Sequence, residues 1–247
     1  MNRHSLIFGV ERVPKLENDC VHVWRVSTAV SDLEGLAEIL SPEERARADR
    51  FHFERDRRSF LVCRGALRQL ISSYSGEDAR SIRFQVGLQG KPSLTQASAR
   101  NLRFNVSHSG EIALLAFSLN QEIGVDVEFK RGEVDFVALA DMSFSNEERA
   151  AILACDPEDR ANLFYEYWTC KEACIKADGR GLSVPLDQFS VTARGDNPQW
   201  REIVSAESSF LPSGMRSRIL DVGNHYAAAA VSNKPKWQVL QMNMELA

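Results

Sequence analysis

In Ile123-Gly124-Val125-Asp126-Val127-Glu128 the apolar side chains alternate with Gly124, Asp126 and Glu128, which predicts a strand carrying both carboxylates on one face beside a glycine. Two carboxylates so placed repel each other unless a cation joins them. Hard oxygen donors at this spacing suit Mg²⁺, shared with phosphate oxygens and water. Taken alone, the pattern equally describes an edge strand with a solvated acidic face. Farther along, Trp168, Glu172 and Lys176 recur every four residues and share one helix face. Glu172 would add a third carboxylate and Lys176 an ammonium for phosphate oxygens. By themselves these two also read as a surface ion pair without function.

A third cluster, Phe104-Asn105-Val106-Ser107-His108-Ser109-Gly110, ends a predicted strand and offers N–H and O–H donors to a phosphate. Adjacent strand residues face opposite sides, so His108 reads as a ligand donor and not as a base for a neighbouring serine. Gly90-Lys91-Pro92 forms a rigid turn with one cation. The arginines at 45, 47, 50, 55, 57, 58, 64 and 68 read mostly as solvated charges. No Walker-type phosphate loop is present, because Gly87-Leu88-Gln89-Gly90-Lys91-Pro92 has the wrong glycine spacing and proline where Ser or Thr is needed. Cys170 and Cys174 lack the further His or Cys of a zinc set.

The elements that must position these groups come in two similar series. Leu40-Ser41-Pro42-Glu43-Glu44-Arg45-Ala46 recurs as Phe144-Ser145-Asn146-Glu147-Glu148-Arg149-Ala150, an offset of 104 residues, and both are serine-capped helix starts. Each leads into a long helical pattern, with Phe60, Cys63, Leu67, Leu70 and Ile71 in the first and residues 163–175 in the second. A glycine turn and β-rich sequence follow in each. The expected fold class is α+β: a pseudo-twofold pair of similar α/β subdomains, divided as 1–120 and 121–247, with one elongated core and a ligand cleft between them.

The 247 residues carry 30 basic and 34 acidic side chains, a net charge of −4, so no global positive field exists to hold a nucleic-acid backbone. The apolar run at 6–10 is cut by Glu11, and no stretch is long enough to span a bilayer, so no membrane partner is expected. Five scattered cysteines read as reduced thiols of a cytoplasmic protein, which makes the Asn105-Val106-Ser107 glycosylation sequon irrelevant.

Gly90-Lys91-Pro92, Asn105 to Gly110, Gly124 to Glu128 and the run from Trp168 to Leu186, in this order and spacing, resemble the Sfp-type 4′-phosphopantetheinyl transferases over about residues 40 to 195. The resemblance implies a pseudo-twofold monomer that moves phosphopantetheine from coenzyme A to a serine of an apo acyl or peptidyl carrier protein, releasing 3′,5′-ADP. By the same resemblance Asp126, Glu128 and Glu172 are Mg²⁺ ligands. Lys176 binds phosphate, while Gly90, Lys91, Pro92, Ser107, His108, Ser109 and Gly110 contact the coenzyme. Arg47 stands where the family has a basic residue for the 3′-phosphate, while Glu44 departs from the lysine of some members.

On this reading Glu172 is the first choice of general base, directly or through a metal-bound water, and Lys176 opposes the charge that develops on the leaving phosphate. The segment 178–189 is the expected carrier-docking surface, and Trp168 is expected to pack between the halves. Two rivals use similar residues. A metal-dependent nuclease or phosphohydrolase is disfavoured by the charge balance, and a non-catalytic carrier-binding module has no use for three carboxylates with Lys176.

Overall fold

The computed structural model describes residues 13–30, 33–87, 90–95, 101–132, 134–192, 197–205, 211, 214–234 and 236–246. The apolar run at 6–10, and Leu88 and Gln89 of the glycine turn, lie outside the described residues.

The chain order is β1 (Cys20–Ser27), α1 (Glu34–Glu38), α2 (Pro42–Ala48), α3 (Glu54–Ser75), β2 (Phe84–Val86), β3 (Pro92–Leu94), β4 (Leu102–Ser109) and β5 (Ile112–Leu119). The second series is β6 (Ile123–Phe129), α4 (Phe136–Ser143), α5 (Asn146–Ala154), α6 (Arg160–Asp178), β7 (Phe189–Val191), β8 (Trp200–Ser205), β9 (Arg216–Ile219), β10 (Tyr226–Ser232) and β11 (Gln238–Met244).

Both serine-capped starts are complete capping boxes. Ser41 Oγ accepts from the Glu44 N–H at 3.3 Å while Glu44 Oε2 accepts from the Ser41 N–H at 2.9 Å; Ser145 and Glu148 repeat this at 3.4 and 3.0 Å. The likeness extends beyond the heptapeptide. Glu44 pairs with the buried Arg68 at 2.7 Å, and Arg68 also donates to the carbonyls of Ala79 and Ile82. Glu148 pairs with the buried Lys171 at 2.8 Å, and Lys171 donates to the carbonyls of Leu186 and Phe189. In each half, then, the capping glutamate anchors a cation on the long helix, and that cation fixes the chain leaving it. Arg68 is therefore not one of the solvated charges the sequence predicts.

Two main sheets run in the orders β11-β1-β5-β4 and β6-β10-β9-β8-β7, with β2 and β3 as a separate hairpin. Helix α3 packs on the first through Leu67, Leu70 and Ile71, and α6 on the second through Cys170, Ala173 and Cys174. A third cluster joins the sheets through Val21, Val23, Leu114, Val125, Val127 and Ala230. It supplies the common core of a mixed α+β architecture. The last strand, β11, pairs parallel with β1 over Cys20↔Gln238 to Val26↔Met244, so the C-terminal segment completes the first sheet. Trp168 packs within the second half, stacked on Phe164 at 6.0 Å and near Phe144, and not between the halves as its size suggested.

Candidate active site

The central constraint is Gly124. A Cβ there would lie 1.9 Å from the Ala173 carbonyl oxygen and 2.5 Å from the Ala177 nitrogen, so α6 rests directly on the β6 backbone. That approach brings Glu172 and Lys176 of α6 to Asp126 and Glu128 of β6. Lys176 Nζ stands 2.6 Å from Asp126 Oδ1 and 3.1 Å from Ser107 Oγ.

Asp126 is 2% exposed, and its second carboxylate oxygen, Oδ2, is buried without a hydrogen-bond partner. Burial pushes its carboxyl above the usual range, against the pull of Lys176 and Ser107. Glu128 is pushed up by burial and by Asp126, and Glu172 by burial, Asp126 and Glu128. Burial is thus the first cause in all three, with Asp126 adding repulsion at Glu128 and Glu172. Among the described residues no set of three or more His, Cys, Asp or Glu is already arranged to hold a metal ion. The hard oxygen donors and the unpartnered Oδ2 fit a Mg²⁺ ion; the spacing for it is not yet assembled.

Two adjoining cavities form a groove across the halves; Asp126, Glu128, Glu172 and Lys176 are not among the residues that line it. On the first half a cavity of about 380 Å³ is lined by Arg47, Phe60, Arg64, Pro92, Val106 and His108, among others. Arg47 lies over the Phe60 ring at 5.2 Å and Arg64 over Phe84 at 4.7 Å, so two guanidinium groups are held against aromatic faces. Arg64 Nη1 is buried with no hydrogen-bond partner. A basin of about 900 Å³ adjoins it through His108 and Asp56, reaching Ser109, Gly110, Phe129, Arg131 and Tyr226. His108 is exposed and lines both cavities, and surrounding protein and the Lys176 ammonium lower its pKa.

Not every predicted contact faces the groove. Lys91 Nζ donates to Glu122 Oε2 at 2.8 Å and to the Ala177 carbonyl at 3.0 Å, tying the Gly90-Lys91-Pro92 turn to the end of α6. Gly90 has φ +84 and turns the chain, and only Pro92 of the three lines the cavity. Ser107 and Ser109 face β6: their hydroxyls donate to Asp126 Oδ1 at 2.8 Å and Glu128 Oε2 at 2.9 Å. Gly110, at φ +57, closes the β4–β5 turn under the Tyr226 hydroxyl, which a Cβ would approach to 2.8 Å. In 178–189, Lys171 anchors the far end and Arg180 Nε pairs with Asp178 at 2.6 Å. Cys170 and Cys174 are buried, and burial holds the Cys170 thiol up at about 12.

Sequence reasoning missed Arg64, Lys171 and Asn105. Lys171 is not found by the 104-residue offset, which carries Arg68 onto Glu172; its pairing with Glu148 appears only in the fold. Nothing local sets Arg64 apart from the other arginines of its helix, whereas Asn105 shares the alternating polar pattern of Ser107 and Ser109. A separate cavity of about 600 Å³ on the second half is lined by Ala151, Leu163, Glu166 and Tyr167, among others.

Two family profiles cover the chain in succession: "4′-phosphopantetheinyl transferase, N-terminal" over residues 23–120 and "4′-phosphopantetheinyl transferase superfamily" over 122–231. The 4′-phosphopantetheinyl transferase HetI of Nostoc sp. PCC 7120 is 39% identical over 88% of this chain and 90% of its own. The Sfp transferase of Bacillus subtilis is 33% identical over 77% of this chain and 82% of its own. The human L-aminoadipate-semialdehyde dehydrogenase-phosphopantetheinyl transferase is 32% identical over 61% and 52%. No described helix is long and apolar enough to cross a membrane. With these likenesses spanning both halves, the chain belongs to the Sfp-type 4′-phosphopantetheinyl transferases.

Proposed function

We propose that this transferase takes coenzyme A as donor and a serine of an apo acyl or peptidyl carrier protein as acceptor, with Mg²⁺ required, acting in the cytoplasm as a monomer divided functionally at 120/121. The observation that carries this reading is the junction of Lys176 with Asp126, 2.6 Å apart, joined by Ser107, whose neighbour His108 lines the arginine cavity. Arg47, Arg64 and His108 hold the 3′-phosphate, while Pro92 and Val106 border the adenosine. Lys91 supports the turn from behind.

Asp126, Glu128 and Glu172 would hold Mg²⁺, which when bound supplies positive charge to the pyrophosphate oxygens. The serine hydroxyl attacks the β-phosphorus, forming the new P–O bond as the bond to 3′,5′-ADP breaks. Glu172 accepts the hydroxyl proton. Lys176 faces the negative charge gathering on the departing phosphate.

The test incubates the protein with coenzyme A, Mg²⁺ and a panel of apo carriers, with labelled DNA and a phosphomonoester in parallel. Mass spectrometry should show a carrier gaining one phosphopantetheine while 3′,5′-ADP accumulates. Hydrolysis of the DNA or the phosphomonoester with every carrier unmodified would overturn the proposal.

A further inference from the structure

Strands β4 and β6 lie side by side, each at the edge of its own sheet, and their backbones do not pair with each other. The gap is bridged by side chains of alternate β4 residues. Asn105 Oδ1 accepts from the Val125 N–H at 3.0 Å, Ser107 Oγ from Val127 at 3.3 Å and Ser109 Oγ from Phe129 at 3.0 Å. The constant step of two residues on both strands makes a ladder in which three side-chain oxygens stand where a partner strand's carbonyls would be.

Two rungs do more than join the halves. A serine hydroxyl has one hydrogen. Ser107 gives it to Asp126 Oδ1 at 2.8 Å while accepting from Val127 N–H and Lys176 Nζ. Ser109 gives its hydrogen to Glu128 Oε2 at 2.9 Å. Each carboxylate is therefore gripped by a hydroxyl whose own position is fixed by the N–H of the next β6 residue. At Asp126 the grip fills Oδ1 and leaves Oδ2 buried and unpartnered.

We propose that Ser107 and Ser109 are positioning residues: their hydroxyls, contributed by the first half, set the orientation of the acidic pair contributed by the second, and do not donate to the coenzyme's phosphates. Asn105 sets the register of the same ladder. This rests on the reading that Asp126 and Glu128 hold Mg²⁺. It explains why a polar residue recurs at 105, 107 and 109, and why His108, pointing the other way, alone of the Ser-His-Ser triplet faces the arginine cavity.

Ser109 is the cleaner probe, because Phe129 is exposed and its N–H can turn to water when the hydroxyl is lost. The full chain and its Ser109→Ala and Ser109→Thr variants are titrated with Mg²⁺ alone by calorimetry, and Tm, kcat and KM for coenzyme A are measured. Groups that orient metal-binding side chains typically contribute 10- to 100-fold in affinity, so Ser109→Ala should weaken Mg²⁺ binding about tenfold while KM for coenzyme A stays within about twofold. Threonine, which keeps the hydroxyl, should restore it. Unchanged Mg²⁺ affinity with a tenfold higher KM would make the hydroxyl a phosphate donor and overturn the proposal. A fall in Tm with Mg²⁺ affinity intact would reduce the ladder to a structural seam and overturn it too. If the wild-type chain itself binds no Mg²⁺, the metal reading fails first, which is a separate result.

Discussion

Gly124→Ala tests how the site is assembled. The added methyl would sit 1.9 Å from the Ala173 carbonyl oxygen and 2.5 Å from the Ala177 nitrogen, both backbone atoms of one helix, so no side chain can swing aside. Restoring ordinary contact requires α6 to withdraw from β6 by more than about 1 Å, given that Cβ atoms in packed proteins rarely approach closer than van der Waals distance. Overpacking of this kind costs roughly 1 to 3 kcal/mol. The greater effect falls on chemistry. Glu172 and Lys176 ride on the displaced helix, and the 2.6 Å contact between Lys176 and Asp126 opens by a comparable amount. A misplacement of about 1 Å costs on the order of 10²-fold in rate. The assay pairs thermal unfolding with kcat for carrier modification. Gly132→Ala, whose Cβ meets nothing within 4 Å, serves as the control. A Gly124→Ala protein with wild-type kcat would show that the close approach of α6 does not set the active geometry, and the reasoning would fail.

Arg47→Ala and Arg64→Met should each raise KM for coenzyme A roughly ten- to a hundredfold with kcat largely kept, since a charge-assisted contact to phosphate contributes about 1.5 to 3 kcal/mol. Both should also lose preference for coenzyme A over its 3′-dephospho form, and full preference in either variant removes that arginine from the nucleotide. Lys171→Met strands Glu148 in a buried site and should lower stability by about 3 to 5 kcal/mol, read from denaturant unfolding; a change under about 1 kcal/mol would refute the anchoring role. Asp126, Glu128 and Glu172 have folded pKa values raised above the unperturbed 3.8 and 4.5. The folded state then binds more protons, so metal-free stability falls as pH rises from those values through the raised ones. Added Mg²⁺ should raise Tm more at pH 8 than at pH 5, and an equal rise at both would contradict the raised carboxyl pKa values of the cluster.

The sequence by itself determined much of the local structure and pointed to the transferase family. Capping boxes at Ser41 and Ser145 are local hydrogen-bond patterns, and alternation at 123–128 or helical spacing at 168–176 follows from backbone geometry, so these were legible without a fold. The repeat made the pseudo-twofold visible for the same reason. What only the tertiary structure decided is where each polar group points and what it meets. Lys91 and Lys176 are both lysines beside motif glycines, yet one ties down a helix end and the other meets Asp126, because the turn of β2 and β3 lies against the end of α6. Arg64 and Arg68 are one helical turn apart and both reach Glu44, yet Arg64 lines the first-half cavity while Arg68 is fully buried. Strands β1 and β11 show no distinguishing motif, and their parallel pairing joins positions more than 200 residues apart, a contact set by the whole core and not by local pattern. The ladder from Asn105 to Ser109 belongs to the same class: its register exists only once two sheets share a core, and that shared burial of Val23, Leu114 and Val125 places the carboxylates.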